Sequence, residues 1–230
     1  MSARFTGYRQ VLLVLAVSIL SACATPTPME EFTREEALAR WETIRGELAT
    51  IDHWSLKGKM GVRTGPKGGS ATLKWRYAPD SQEIELYGPF GGGRVIINVD
   101  GSGAVLRDTK GRVIHGKSAS EVLYQRLGWH VPFDHLADWA RGLPGDGARE
   151  VVIDRTGRLR RMVQDNWRIE YQEYESQGNT LPGFALPAKL QVSALPGTME
   201  IYADDGEYLG DELNVKVILN RWWEIERNSS

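Results

Sequence analysis

Polar and apolar residues alternate with a period of two in a series of short segments. The segments span 54–63, 71–77, 83–86, 95–99, 151–154, 159–164, 167–174, 188–193, 198–202 and 213–222. This alternation is typical of strands that bury one face. Turn-forming pairs such as Pro79-Asp80 and Asp100-Gly101 separate neighbouring segments, and the short spacing favours an antiparallel meander over βαβ units.

Helical periodicity appears at the start and in the middle of this series. A capping box, Thr33-Arg-Glu-Glu36, precedes apolar residues at helical spacing. These residues are Ala37, Leu38, Trp41, Ile44, Leu48 and Ile51. A second capping box, Ser118-Ala-Ser-Glu121, opens a mid-chain helix, and a shorter helix over 134–141 ends at Gly142. The pattern predicts a mainly β fold: an unclosed antiparallel barrel of about 10–11 strands, with an α-helical lid over an apolar cavity.

The first residues of the chain carry a processing signal. Arg4 and Arg9 precede a ten-residue apolar run at 11–20, which is too short to span a bilayer as a helix. Small residues and then Cys23, the sole cysteine of the chain, follow the run, as in bacterial lipoproteins. We therefore expect a signal peptide at 1–22, lipid attachment at Cys23, a lipidated tether at 23–29 and one domain at 30–227. Because the residue after Cys23 is not aspartate, we expect the outer membrane, with the domain facing the periplasm.

Charge and motifs exclude several classes of function. Removing 1–22 takes away two of the 28 basic residues and none of the 30 acidic ones, which leaves a net charge of −4. A mildly acidic domain is a poor nucleic-acid binder. The chain lacks a Walker A loop, a Gly-x-Ser-x-Gly elbow and a His-Glu-x-x-His helix. His130, Asp134, His135 and Asp138 lie close in sequence but lack a familiar ligand spacing. We expect no metal, no cofactor and no enzymatic activity.

Eight tryptophans are many for a domain of this size. Some of them fill the core, but so many wide rings can leave a core incompletely closed, and an apolar cavity is a plausible ligand site. The predicted inward faces and the lid supply the candidate cavity residues, which are Leu73, Trp75, Leu86, Val95, Ile97, Leu136 and Trp139.

The segment Gly88-Pro89-Phe90-Gly91-Gly92-Gly93 joins two alternating strands and has an unusual tip. Hairpin tips normally carry polar residues, whereas Phe90 stands here between Pro89 and Gly91. One interpretation is that Phe90 folds back onto the core. The other is a membrane-insertion loop with an exposed apolar residue, whose burial contributes roughly 1.5–3 kcal/mol.

These features together resemble the LolB family of outer-membrane lipoprotein receptors, over nearly the whole chain after Cys23. The landmarks are Trp54-Ser-Leu-Lys-Gly-Lys59, Trp75, Pro89-Phe90-Gly91, Leu136-Ala-Asp-Trp139 with its turn to Pro144, Asn166-Trp167, Leu186-Pro187 and Trp222. The resemblance implies a half-barrel that takes triacylated lipoproteins from LolA, a soluble periplasmic carrier, and inserts them into the outer membrane. It also implies contact between Phe90, at the position of the family's apolar loop residue, and outer-membrane phospholipid.

Two departures from the family and two alternatives stay open. The loop tip is richer in glycine than expected, and 203–212 looks like an acidic insertion that affects the carrier-facing surface. We expect a monomer. The main alternative is a structural or assembly lipoprotein of the envelope that binds a protein through a sheet edge or Trp222-Trp223. An envelope hydrolase is the third class, for which Asp134 and His135 would be the residues to test.

Overall fold

The computed structural model describes residues 32–88, 93–176, 184–202, 206 and 208–228. This part of the chain contains three helices, which are α1 (Arg34–Ala49), α2 (Ala119–Leu127) and α3 (Phe133–Arg141). Its strands are β1 (Ile51–Thr64), β2 (Lys67–Ala78), β3 (Ser81–Tyr87), β4 (Arg94–Asp100), β5 (Gly103–Asp108), β6 (Val113–Gly116), β7 (Arg149–Ile153), β8 (Leu159–Gln164), β9 (Trp167–Ser176), β10 (Ala185–Ala194), β11 (Ile201–Tyr202), β12 (Tyr208–Gly210) and β13 (Leu213–Arg227). Phe32–Ser230 forms a unit of its own, and its described residues share one hydrophobic core.

Eleven of these strands form a single antiparallel sheet. Their order is β6-β5-β4-β3-β2-β1-β13-β10-β9-β8-β7, so the two edge strands, β6 and β7, do not pair with each other. The sheet is therefore unclosed, as the sequence predicts. The two remaining strands, β11 and β12, form a separate small hairpin.

The sheet must curl around the helices. Phe133, at the start of α3, packs edge-on against Trp75 of β2, while Trp139 near its end donates a hydrogen bond to Gln164 of β8. In the sheet, β2 and β8 are five positions apart, which is roughly 24 Å if the sheet were flat. Phe133 and Trp139 are separated by only about 9 Å along the helix axis. A half-barrel with α3 on its inner side satisfies both contacts.

Period-two alternation builds the core from one row of side chains after another. The row that starts at Leu56 continues directly across the sheet through Trp75, Ile84, Ile97 and Leu106, and every member is buried. Each such side chain contributes roughly 1.5–3 kcal/mol when it leaves water. The inner face is therefore apolar throughout these five strands.

The helix signals are largely confirmed, with corrections. At α1, Thr33 and Glu36 form the predicted reciprocal capping box. The helix ends at Ala49, so Ile51 belongs to β1, and Leu38 is 44% exposed and lies off the buried face. At α2 the box is half formed, since Ser118 caps the N–H of Glu121 while the Glu121 carboxylate accepts from the N–H of Lys117.

The predicted strand at 198–202 is shorter than expected. It begins at Ile201 and pairs with β12, which lies inside the predicted acidic insertion at 203–212. The alternation in 213–222 continues to Arg227, because β13 follows β1 over its full length. Among the described helices, none is both long and apolar enough to cross a membrane.

Candidate functional site

The seven candidate cavity residues come together on the inner side of the sheet. Leu73 and Trp75 lie on β2, Leu86 on β3, and Val95 and Ile97 on β4. The other two, which are Leu136 and Trp139, lie on α3. All seven belong to one hydrophobic cluster and are at most 6% exposed. The sequence thus identified a shared surface, and in the structure the lid covers it.

An aromatic cluster stands at the centre of this surface. Trp54 lies 5.0 Å from Trp75, 5.0 Å from Tyr77 and 5.2 Å from Trp222, measured between ring centroids. Phe133 of the lid meets Trp75 at 5.4 Å, edge to face. The residues predicted from the sequence to line the cavity did not include Trp54, Phe133 or Trp222. The alternation along β1 could have predicted Trp54, because it lies two residues before Leu56 and points to the same inward face.

Buried hydrogen bonds attach α3 to the sheet. The Oε1 of Gln164 on β8 accepts from Trp139 Nε1 and from the N–H of Gly145, both at 3.0 Å. The Arg141 guanidinium donates to the carbonyl of Ile51 and to the carboxylate of Asp138. The contacts with Gln164 and Ile51 hold the end of α3 against β8, next to one edge of the sheet, and against β1, its central strand.

The helix α2 is attached through the turn between β5 and β6. The carboxylate of Asp108 accepts from the backbone N–H groups of Lys110 and Arg112, both at 2.9 Å, and from Arg126 Nε at 2.8 Å. The Arg112 N–H contributes most to lowering the pKa of Asp108, and Arg126 and Lys110 add to it against the opposing effect of burial. A hydroxyl links the two lid helices, since Ser120 Oγ accepts from the N–H of Phe133 at 3.0 Å and donates to Asp134 at 2.8 Å.

One surface cleft, of about 690 Å³, is lined by Trp54 and Tyr77 of the aromatic cluster. Another, of about 240 Å³, lies beside the lid, between Trp129 after α2, Gly68 on β2 and Leu209 on β12. None of the seven candidate residues lines this cleft or the three others at the surface. The lid helices therefore separate these seven side chains from solvent.

The four residues that could have suggested a metal site have separate partners. His130 packs against Tyr124, and burial lowers the pKa of its imidazole. Asp134 accepts from Ser120, His135 lies 3.4 Å from Asp165, and Asp138 pairs with Arg141. Within the described ranges, no group of three or more His, Cys, Asp or Glu side chains is placed to hold a metal ion.

The remaining predicted site residues, which are Cys23, Pro89, Phe90 and Gly91, lie outside the described residues. The base of the loop is described. The Gly88 N–H donates to the Gly93 carbonyl at 2.9 Å, and Arg94 pairs with Glu85 at 2.9 Å. Burial raises the pKa of Glu85, but hydrogen bonds from Tyr87 and Arg94 outweigh it, and that pKa lies below its ordinary value.

Comparison with known proteins finds a matching family model and relatives that cover most of the chain. A family model described as outer membrane lipoprotein LolB matches residues 52–222. The outer-membrane lipoprotein LolB of Pseudomonas paraeruginosa (strain DSM 24068 / PA7) is 31% identical over 216 residues, which are 93% of this chain and 95% of that protein. The protein of the same name from Pseudomonas syringae pv. syringae (strain B728a) is 29% identical over 93% of this chain and 95% of its own length. A solved structure of a LolA superfamily protein from Nitrosomonas europaea is similar with a TM-score of 0.44 and 12% identity, covering 86% of this chain and 95% of that one.

Proposed function

The chain belongs to the LolB family of outer-membrane lipoproteins that act in lipoprotein localisation, and we propose that it accepts triacylated lipoproteins from a LolA-like periplasmic carrier and inserts them into the outer membrane. The observation that carries this proposal is the inner surface, which is apolar across five strands and is covered by two helices. Such a surface suits acyl chains better than a polar substrate.

The energetics of acyl chains require a covered route. Exposing them to water costs about 0.8 kcal/mol per CH₂, so three membrane-length chains cost on the order of tens of kcal/mol. Release into the periplasm is thereby excluded, and cargo passes from one apolar surface to the next while the two proteins touch. The step needs no nucleotide if the receptor binds the chains more favourably than the carrier does, and the membrane more favourably still.

The rest of the chain fits this role as follows. Residues 1–22 are the signal peptide, Cys23 carries the lipid anchor, 23–29 form the tether and 30–227 form a single receptor domain that works as a monomer. Transfer between apolar surfaces requires no bond-making side chains, so the domain acts as a receptor and not as an enzyme. In this proposal Phe90, with Pro89 and Gly91, contacts outer-membrane phospholipid during release.

The test is a transfer experiment with a soluble form, residues 24–230, which lacks Cys23. It is mixed with a carrier–lipoprotein complex in the absence of nucleotide, and the lipoprotein is located by size-exclusion chromatography. We expect the cargo to move onto this domain. Retention by a carrier that is competent with another receptor would favour the assembly-lipoprotein alternative, which the closed core of the domain also fits.

The loop is tested with the same components and liposomes. We expect Phe90→Glu to accept cargo from the carrier but to deliver it poorly, because a charged side chain does not enter the bilayer. Phe90→Leu is the matched control, since it keeps an apolar side chain, and it should deliver normally. Normal delivery by Phe90→Glu would support the other interpretation, in which Phe90 packs on the core.

A further inference from the structure

The outer face of the sheet carries a concentration of positive charge. Side chains alternate along each strand, so the residues between the buried ones point outward. On three adjacent strands, β13, β1 and β2, the exposed outward residues include seven cations, of which Arg76 pairs with Glu83 on β3. We call the other six the basic face; they are Lys57, Lys59, Arg63, Lys74, Lys216 and Arg221. The whole chain has a net charge of −2, so these charges are segregated on one surface and are not a consequence of a basic composition.

The strand register opposes like charges at the centre of the basic face. Lys57 lies directly across from Lys74 on one side and from Arg221 on the other. Like charges directly opposite one another destabilise a sheet. Five of these six cations have no carboxylate within ion-pair distance among the described residues. They are Lys57, Lys59, Arg63, Lys216 and Arg221. The protein thus maintains a repulsion that an anionic surface would relieve.

A shallow cleft of about 760 Å³ lies within the basic face. Its floor has little side-chain bulk, because Gly61 on β1 and Ser70 on β2 lie there directly opposite each other. Arg63 and Lys216 stand at its rim. Glycine inside a strand weakens the strand, and sites where a ligand approaches the backbone closely are one of the places where it occurs. Cations around a floor of accessible backbone suit an anionic group such as a phosphate.

The basic face reaches the base of the loop at 88–93. The Lys74 ammonium and the Arg94 guanidinium each lie 5.4 Å from the ring centroid of Tyr87, where β3 ends. Tyr87 is directly opposite Thr72, and the next outward residue of β2 in the same direction is Ser70, on the cleft floor. The cleft therefore lies at the same end of the sheet as the strand ends that carry the loop.

We propose that the basic face is a docking surface for the anionic phospholipid headgroups of a bilayer. The proposal rests on the proposed function, in which the loop at 88–93 meets the membrane, and adds the surface that orients the domain there. Four of the six cations are lysines, whose compact charge on a flexible stem suits contact with many headgroups better than recognition of one fixed partner. Each basic residue near an anionic bilayer strengthens binding severalfold.

The test measures binding of the soluble form, residues 24–230, to sedimented vesicles. The vesicles contain phosphatidylcholine alone, or phosphatidylcholine and phosphatidylglycerol at a ratio of about 3:1. We expect preference for the anionic vesicles, loss of that preference at high salt, and a decrease in affinity of tenfold to a hundredfold for the combined variant Lys57→Gln, Lys59→Gln and Lys74→Gln. The control variant Arg34→Gln, Lys117→Gln and Arg149→Gln removes the same charge from exposed positions elsewhere, and should bind as the unaltered domain does.

Three outcomes would overturn the proposal. They are equal binding to both vesicle types, equal losses in the two triple variants, and unchanged vesicle binding combined with reduced acceptance of cargo from the carrier. The last would show that the basic face receives a protein. Acceptance of cargo in solution is measured separately, so a failure of the proposed function is distinguishable. Removing like charges should leave the unfolding midpoint of the lysine variant unchanged or higher, and this result excludes misfolding. The double variant Lys59→Gln, Lys216→Gln provides a second test.

Discussion

Gln164 is a single polar residue on which the closure of the apolar core depends. Its side chain is 2% exposed, and its Oε1 satisfies both the Trp139 indole and the Gly145 N–H. Because a buried donor without an acceptor costs about 1–3 kcal/mol, we expect Gln164→Leu to lower the free energy of unfolding by about 2–4 kcal/mol in urea titrations. Gln125→Leu, which removes an exposed bond to Glu121, should change it by less than about 0.5 kcal/mol. Equal effects would contradict the assigned role.

At this scale, the sequence predicts which residues turn inward better than it predicts their polar partners. Trp139 was recognisable as a buried lid residue because it shares a helical face with Leu136. Its partner Gln164 lies in a strand 25 positions later, and only the curl of the sheet brings the two side chains together. Ser55 shows the same limit: alternation placed it outside, yet it is buried and donates to Glu224 at 2.7 Å, where a register irregularity changes the strand.

Among the structural elements, the turn between β5 and β6 should make the stability of the domain depend on pH. The folded-state pKa of Asp108 is below its ordinary value of 3.8, so on acidification the unfolded chain takes up this proton first. The stabilisation from Asp108 is therefore complete above about pH 5 and is lost as the pH falls through the lowered pKa. We expect Asp108→Asn to be less stable than the unaltered domain at neutral pH, with a difference that shrinks below about pH 4. Urea titrations across this range measure it, and a constant difference would contradict the prediction.

Elements whose signal is local were predicted well. The capping box at Thr33 and the left-handed cap at Gly142 each depend on a few neighbouring residues, and both occur as expected. The strand β12 was missed because its pairing with β11 depends on a chain reversal within an acidic stretch that shows no alternation. A three-residue strand carries too little periodicity to be distinguished from a loop.

For the whole molecule, the sequence predicted an open barrel with an apolar interior, and the structure adds that the interior is closed by the lid. Periodicity identifies the face that leaves water, but it does not reveal whether another element or a ligand covers that face. Here α2 and α3 cover it through a small number of polar attachments. A receptor built in this way binds acyl chains only in the fraction of molecules whose lid is open, which reduces its apparent affinity by that fraction.

Weakening one attachment should therefore strengthen acyl binding. The Arg126–Asp108 pair joins α2 to the sheet, and the carboxylate side is only 2% exposed. If Arg126→Gln destabilises the closed lid by about 0.5–1 kcal/mol, the apparent affinity for a palmitoylated lipopeptide should rise about two- to fivefold in a fluorescence titration. Arg45→Gln breaks an exposed pair with Glu42 on α1 and should leave the apparent affinity for the lipopeptide unchanged. An affinity of Arg126→Gln equal to or weaker than that of the Arg45 control would mean that α2 does not have to move for cargo to enter.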